Sequence, residues 1–248
     1  MPFAGLGLHV VIALLCAIHA VKTRQQMYWL FILFAFPLLG SLVYFFAIYL
    51  PNSRLERGAV KALGAAARAL DPERELREAR AALDDTPTAQ NQMRLAAALL
   101  ALGRGQEAAQ AYERCLVGPF ASDPDIRYGA ACAFVECGRH AEALPHLRAL
   151  QQERPEFRRE EVALLHGRAL TGLGRLAEAR AMLEDAQQRH GSFAAKTELA
   201  IWAHAAGEAA LAAQLDAELD KSSARWNRQT RELNEPLLRR LRAARGSR

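Results

Sequence analysis

Two long stretches near the start of the chain contain no charged residue. The first runs from Phe3 to Val21 and has 19 residues, and the second runs from Met27 to Leu50 and has 24. Helices over these stretches would be roughly 28 and 36 Å long, and the hydrocarbon core of a bilayer is about 30 Å thick. The polar loop 22–26 separates them. The pattern therefore predicts a transmembrane helical hairpin over residues 1–51, with both termini on one side of the membrane.

Beyond residue 88 the apolar positions recur at helical spacing, and the pattern itself repeats. Four glycines, spaced by 35, 36 and 33 residues, mark equivalent points: Gly103, Gly138, Gly174 and Gly207. A small residue stands seven positions before each glycine, and alanine stands five positions after it. Glycine can adopt the left-handed conformation that ends a helix, and small residues let two helices approach closely. Each window therefore predicts a pair of antiparallel helices.

This pattern resembles the tetratricopeptide repeat family, which has a 34-residue period and often a proline at the end of each unit, as Pro155 is here. The resemblance covers residues 88–221, about four repeats. Asp216 stands where a large apolar residue belongs, as is typical of an end repeat that faces water. The resemblance implies stacked helical hairpins with a concave surface that binds proteins or peptides. The predicted fold class is thus all-α, a transmembrane helical hairpin followed by a tetratricopeptide-type α-solenoid.

Two segments flank the predicted repeats. Residues 52–87 form either a helical linker or an atypical first repeat, with helices predicted over 54–70 and 72–83. Residues 222–248 are predicted to be a basic capping helix or tail, and Pro236 is able to break it midway. Such a segment either covers the exposed face of the last repeat or contacts anionic lipid. The candidate lipid-contact residues are Arg239, Arg240, Arg242 and Arg245.

The first fifty residues resemble the two-helix N-terminal membrane region of bacterial cardiolipin synthases. The residues that carry this resemblance are Trp29, Pro37, Gly40 and Tyr44 after a basic loop. In those enzymes a phospholipase D catalytic domain follows, with a His-x-Lys-x4-Asp signature. None of the seven histidines of this chain has a lysine two positions later. The resemblance therefore implies an inner-membrane anchor without that catalytic chemistry.

The distribution of charge and cysteine predicts a side of the membrane. Four basic residues lie within 54–68 and two within 22–26, and basic flanks tend to stay on the cytoplasmic side. Three cysteines stand beyond the two apolar stretches, and an odd number argues against a disulfide framework. These features predict a multi-pass protein of the bacterial inner membrane whose remaining domain lies in the cytoplasm.

The sequence contains no recognisable catalytic or metal-binding set. His140 and His146 flank Glu142, but their spacing differs from the His-Glu-x2-His pattern of metalloproteases. The cysteines lack the paired spacing of a zinc site. Residues 51–220 contain 21 basic and 25 acidic residues, which disfavours nucleic acid as a partner. We therefore expect no enzymatic activity, no cofactor and no metal.

The family resemblance also implies where a partner binds. In tetratricopeptide repeats the first helix of each hairpin lines the groove, which corresponds here to Met93, Ala97, Tyr128, Cys132, Arg168 and His204. The function expected from this resemblance is that of a membrane-anchored scaffold or adaptor that binds a protein or peptide. The alternative is an accessory protein of phospholipid or envelope metabolism that binds anionic lipid, and an enzyme is the less favoured third reading.

Overall fold

The structure is a computed structural model, and it describes residues 14, 16–18, 20, 22, 28–35, 37–44 and 71–246. The chain divides into two compact units, Met1–Pro72 and Glu73–Arg248. Within the described ranges, α-helices are the only regular secondary structure. Most of the stretch 3–21, and the helix predicted over 54–70, lie outside the described residues.

The second apolar stretch of the first unit forms two short helices, α1 (Tyr28–Ala35) and α2 (Pro37–Tyr44). Proline has no backbone N–H, and its ring clashes with the preceding turn, so a helix is interrupted there. A Cβ atom on Gly40 would lie 2.6 Å from the carbonyl oxygen of Ile32. Because Gly40 has no side chain, α2 can lie directly against the backbone of α1.

The helices of the described residues overturn the transmembrane prediction. In the described residues, each of the two helices has 8 residues, which is about 12 Å of helix against about 30 Å of hydrocarbon. No helix in the described part of the chain combines the length and the apolarity needed to cross a membrane. The predicted transmembrane hairpin and the multi-pass inner-membrane localisation are therefore wrong. The prediction equated an uncharged run with a single helix, although Pro37 divides that run.

The second unit contains eleven further helices in its described residues. They are α3 (Arg74–Asp85), α4 (Ala89–Ala101), α5 (Gly105–Cys115), α6 (Pro124–Glu136), α7 (His140–Glu153), α8 (Arg159–Gly172), α9 (Leu176–His190), α10 (Phe193–Ala206), α11 (Ala209–Ser223), α12 (Arg228–Leu233) and α13 (Glu235–Gly246). Eight of them pair as four antiparallel hairpins, α4 with α5, α6 with α7, α8 with α9, and α10 with α11. The helical-repeat architecture predicted from the glycine spacing is confirmed.

The same turn joins the two helices of every hairpin. The four turn glycines have φ values of 74°, 80°, 72° and 76°, in the left-handed region that side chains disfavour. The residue after each glycine donates its N–H to the carbonyl oxygen five positions earlier, as in Arg104 to Leu99 and Arg175 to Leu170, both 2.9 Å. These bonds satisfy carbonyl groups that the end of a helix leaves free.

The residues at equivalent repeat positions build one continuous core. The alanines five positions after the turn glycines are 0% exposed in all four hairpins. Four positions further on, Tyr112, Leu147 and Leu183 are buried, whereas Asp216 in the last hairpin is only partly buried. The core extends from Leu76 in α3 to Leu241 in α13. Helix α3 therefore closes one end of the repeat array, and α13 packs on α10 at the other end.

Candidate functional site

The first helices of the hairpins, α4, α6, α8 and α10, form one continuous surface. Helices α4, α6 and α8 each contact the first helix of the next hairpin. Among the described helices, the second helices of successive hairpins have no comparable contact. The array therefore curves with its first helices on the inside. We call this inner surface the groove.

An apolar pocket lies at the α4 end of the groove. Its volume is about 540 Å³. It is lined by Thr88, Ala89, Gln90, Met93, Phe120, Asp123 and Ile126. Phe120 belongs to the connection 116–123 between the first two hairpins and is 54% exposed, which is high for an aromatic residue. The pocket therefore offers accessible apolar surface next to a few polar groups.

Tyr128 of α6 is the centre of a cluster of aromatic and charged side chains. The ring of Phe157 meets the Tyr128 ring edge-on, with 6.3 Å between the ring centroids. The guanidinium carbon of Arg158 lies 5.0 Å from the Tyr128 centroid, a cation–π distance. Arg158 also pairs with Asp125, with 3.2 Å between Nη2 and Oδ1. We call Asp125, Tyr128, Phe157 and Arg158 the tyrosine cluster.

Tyr128 and its neighbour Cys132 are both uncharged at neutral pH. Burial raises the pKa of the Cys132 thiol to about 11, although a hydrogen bond with Tyr128 lowers it in part. Burial likewise raises the pKa of Tyr128 above its usual value. Both side chains therefore keep their protons near pH 7. A protonated thiol is a poor nucleophile, so this arrangement suits binding better than covalent catalysis.

The structure places five of the six predicted groove residues on the accessible surface of first helices. Met93 lines the apolar pocket, Ala97 is exposed, and Tyr128 and Cys132 are partly buried. Arg168 of α8 pairs with Glu136 of α6, with 2.7 Å between the nitrogen and the oxygen. The groove is therefore apolar at one end and carries a charged pair between α6 and α8.

His204, the sixth predicted groove residue, is not open to a partner. Its side chain is 5% exposed. Its Nε2 atom lies 3.0 Å from Oδ2 of Asp216. The other oxygen of Asp216 lies 3.0 Å from Nε of Arg245 in α13. Helix α13 thus takes part in covering the last hairpin, where the sequence predicted free groove surface.

Most of the candidate lipid-contact arginines are held by acids of this chain. Arg240 donates to both oxygens of Glu198, with 2.7 Å between Nη2 and Oε2. Arg245 pairs with Asp216 and Asp220. Arg242 pairs with Glu235 of its own helix. Arg239 has no carboxylate within ion-pair distance among the described residues.

The sequence analysis did not predict that the connections between hairpins contribute residues to the apolar pocket and the tyrosine cluster. Phe157 and Arg158 follow α7, and Phe120 precedes α6, so family positions counted along first helices do not include them. An aromatic residue in a polar connection is the signal that would have identified both sites. In the described part of the chain, no group of three or more His, Cys, Asp or Glu side chains is placed to hold a metal ion.

In comparisons with known proteins, no protein-family model and no curated protein matches the sequence. The fold and the groove define the class as an array of helical hairpins. Membership of the tetratricopeptide family stays a prediction from the spacing of glycine and small residues.

Proposed function

We propose that this chain is a tetratricopeptide-type adaptor whose groove binds a peptide segment of a partner protein. The observation that carries the proposal is the apolar pocket beside the tyrosine cluster on the inner surface of the array. Binding sites are typically concave and mostly apolar, with a few polar groups that orient the ligand. The groove has this composition.

The apolar pocket and the tyrosine cluster bind different parts of the peptide in the proposed complex. The pocket around Met93 takes a large apolar side chain, and the flexible thioether adapts to its shape. Arg158 and Asp125 lie at the tyrosine cluster and offer one positive and one negative group to the peptide. Tyr128 adds a large and rigid contact surface with little loss of conformational entropy.

Selection from a peptide display library on the full chain tests this proposal. We expect enriched peptides to carry a large apolar residue. Met93→Glu and Tyr128→Ala should each weaken their binding about tenfold or more, because one places a charge in the apolar pocket and the other removes the central ring. Gln110→Glu is the matched control, since Gln110 is exposed on a second helix.

Far-UV circular dichroism of each variant separates lost binding from lost folding. Peptides that bind the Met93→Glu chain as well as they bind the unchanged chain would contradict the proposal. So would binding that only the Gln110→Glu substitution weakens, because that result would place the site on the outer surface.

A further inference from the structure

Helix α13 sits on a surface that matches it in both shape and charge. Leu241 is 2% exposed and belongs to the core of the repeat array. On either side of it, Arg240 binds Glu198 of α10, and Arg245 binds Asp216 and Asp220 of α11. We use the name α13 site for the surface that contacts this helix, which consists of these three acids and the part of the core that packs against Leu241. It receives one leucine and two arginines from an amphipathic helix.

The α13 site continues the groove. Helix α10 is the fourth first helix, and it follows α8 along the inner surface. Burial lowers the pKa of Arg240, but its hydrogen bonds to Glu198 and the charges of Glu198 and Glu136 raise it more. Glu136 belongs to α6, so Arg240 lies within electrostatic reach of the middle of the groove. The chain's own last helix therefore occupies the α10 end of the binding surface.

Residues 227–234, which connect α11 to α13, make few contacts with the core. Helix α12 has no buried residue, and its Leu233 is 75% exposed. Trp226 packs on Phe193 at 4.4 Å between ring centroids, which fixes the start of the connection. Residues 227–234 can therefore move without opening the core, whereas release of α13 also withdraws Leu241 from it.

We propose that the α13 site binds an amphipathic helix of a partner protein that presents arginine, then leucine, then a second arginine four residues after the leucine, and that this helix displaces α13. The inference rests on the proposed function, because it extends the same groove. Guanidinium and carboxylate groups match each other in a planar pair of hydrogen bonds, so Glu198 selects arginine over lysine. In the free protein, α13 fills the site and competes with the partner.

A labelled peptide with the sequence of residues 235–246, capped at both ends, probes the site in the full chain. The double substitution Arg240→Ala and Leu241→Ala in the chain weakens its own α13. This chain should bind the peptide at least tenfold more tightly than the unchanged chain does. The matched control replaces Arg239 and Arg242 by alanine and should bind like the unchanged chain, because neither residue bridges to α10 or α11 among the described contacts.

Further variants make the result decisive. Adding Glu198→Gln to the weakened chain should lower its affinity for the peptide about tenfold, and a scrambled peptide of the same composition should not bind. If the double variant loses its helical circular dichroism, Arg245→Gln provides a milder weakening of α13 and should raise peptide affinity in the same direction. A folded weakened chain that binds the peptide no better than the unchanged chain overturns the proposal.

Two controls distinguish this proposal from peptide binding at the apolar pocket and from self-association through α13. Met93→Glu in the weakened chain should leave binding of the 235–246 peptide unchanged, so failure of the pocket and failure of the α13 site give different results. Sedimentation of the unchanged chain without peptide should show a monomer. A concentration-dependent dimer that the Arg240→Ala and Leu241→Ala substitutions abolish would identify the occupant as α13 of a second copy and would overturn the assignment to a partner protein.

Discussion

Arg158 has a backbone conformation that a side chain disfavours, with φ 41° and ψ 47° at the start of α8. A left-handed conformation costs a non-glycine residue roughly 1–2 kcal/mol. In this conformation its guanidinium group contacts the rings of Tyr128 and Phe157 and pairs with Asp125, and these contacts offset part of the cost. Strain of this kind tends to persist where it serves a function. Here it is located in the proposed peptide site.

Two substitutions at Arg158 separate the backbone cost from the side-chain contacts. Arg158→Gly and Arg158→Ala both remove the guanidinium group, but only glycine tolerates a positive φ without strain. We therefore expect the glycine variant to be more stable than the alanine variant by about 1 kcal/mol. Both should weaken binding of selected peptides to the same extent. Urea unfolding and peptide titration measure the two effects, and an alanine variant of equal or higher stability would refute the strain argument.

His166 gives the protein a specific dependence of stability on pH. It is buried, and its Nδ1 lies 2.9 Å from Oε1 of Gln151. Burial, together with the charges of Arg148 and Arg175, lowers its pKa from 6.5 to about 4. Between pH 6.5 and pH 4 the unfolded chain therefore binds a proton that the folded chain does not. The free energy of unfolding should fall with falling pH in this window.

The expected loss from His166 is at most about 3 kcal/mol across the window. His166→Gln removes this titration, so its unfolding free energy should fall less between pH 6.5 and pH 4. His140 and His146, whose pKa values burial also lowers, remain in both proteins and cancel in the comparison. Urea unfolding at a series of pH values gives the difference. Parallel curves for the two proteins would show that His166 has the same pKa in the folded and the unfolded chain, which would contradict this prediction.

At the scale of single residues, the sequence identifies positions whose role depends on local backbone geometry. The sequence predicts the four turn positions because a left-handed backbone favours glycine, and all four glycines have positive φ. Arg158 is not found, because an arginine gives no local sign of a left-handed conformation. His204 is placed correctly on a first helix, but its burial depends on Asp216 and Arg245, which are distant in sequence.

The helical hairpins are well predicted because their signals lie within about 36 residues. The second apolar stretch is not, because composition alone does not show whether Pro37 kinks a helix or ends it. Pro236 lies next to a break that the sequence does suggest. Helix α12 ends at Leu233, and Pro236 stands in the first turn of α13, where its missing N–H costs nothing.

Packing between the first two hairpins depends on a large residue facing glycine. A Cβ atom on Gly129 of α6 would lie 2.3 Å from Cζ of Tyr112 of α5. At the equivalent positions of the next junction stand Leu147 and Leu165, both buried. The volume of the tyrosine is therefore accommodated by the absent side chain of the glycine.

We expect Gly129→Ala to destabilise the protein by about 1–3 kcal/mol, despite the higher helix propensity of alanine. In a chain that carries Tyr112→Leu, the same substitution should cost at least about 1 kcal/mol less, since the shorter side chain leaves room for the methyl group. Thermal or urea unfolding of the four proteins closes this double-mutant cycle. Additive effects would show that the two residues do not press against each other.

At the scale of the whole molecule, the described second unit is one array with an inner surface made by first helices. Its curvature follows from the repeat and could be expected from the sequence. The occupation of one end by α13 could not, because the ion pairs of Arg240 and Arg245 join residues 25 to 42 positions apart. The free part of the groove therefore extends from the apolar pocket to the tyrosine cluster and the pair of Arg168 with Glu136.

The central claim is that the inner surface binds a partner segment, and amide hydrogen exchange of the full chain with and without a selected peptide tests it most directly. Binding should slow exchange in the first helices α4, α6 and α8 and in the connections 116–123 and 154–158, because the peptide covers them. The second helices α5, α7 and α9 should exchange at unchanged rates. Protection confined to those second helices at saturating peptide, or no protection at all, would contradict the account.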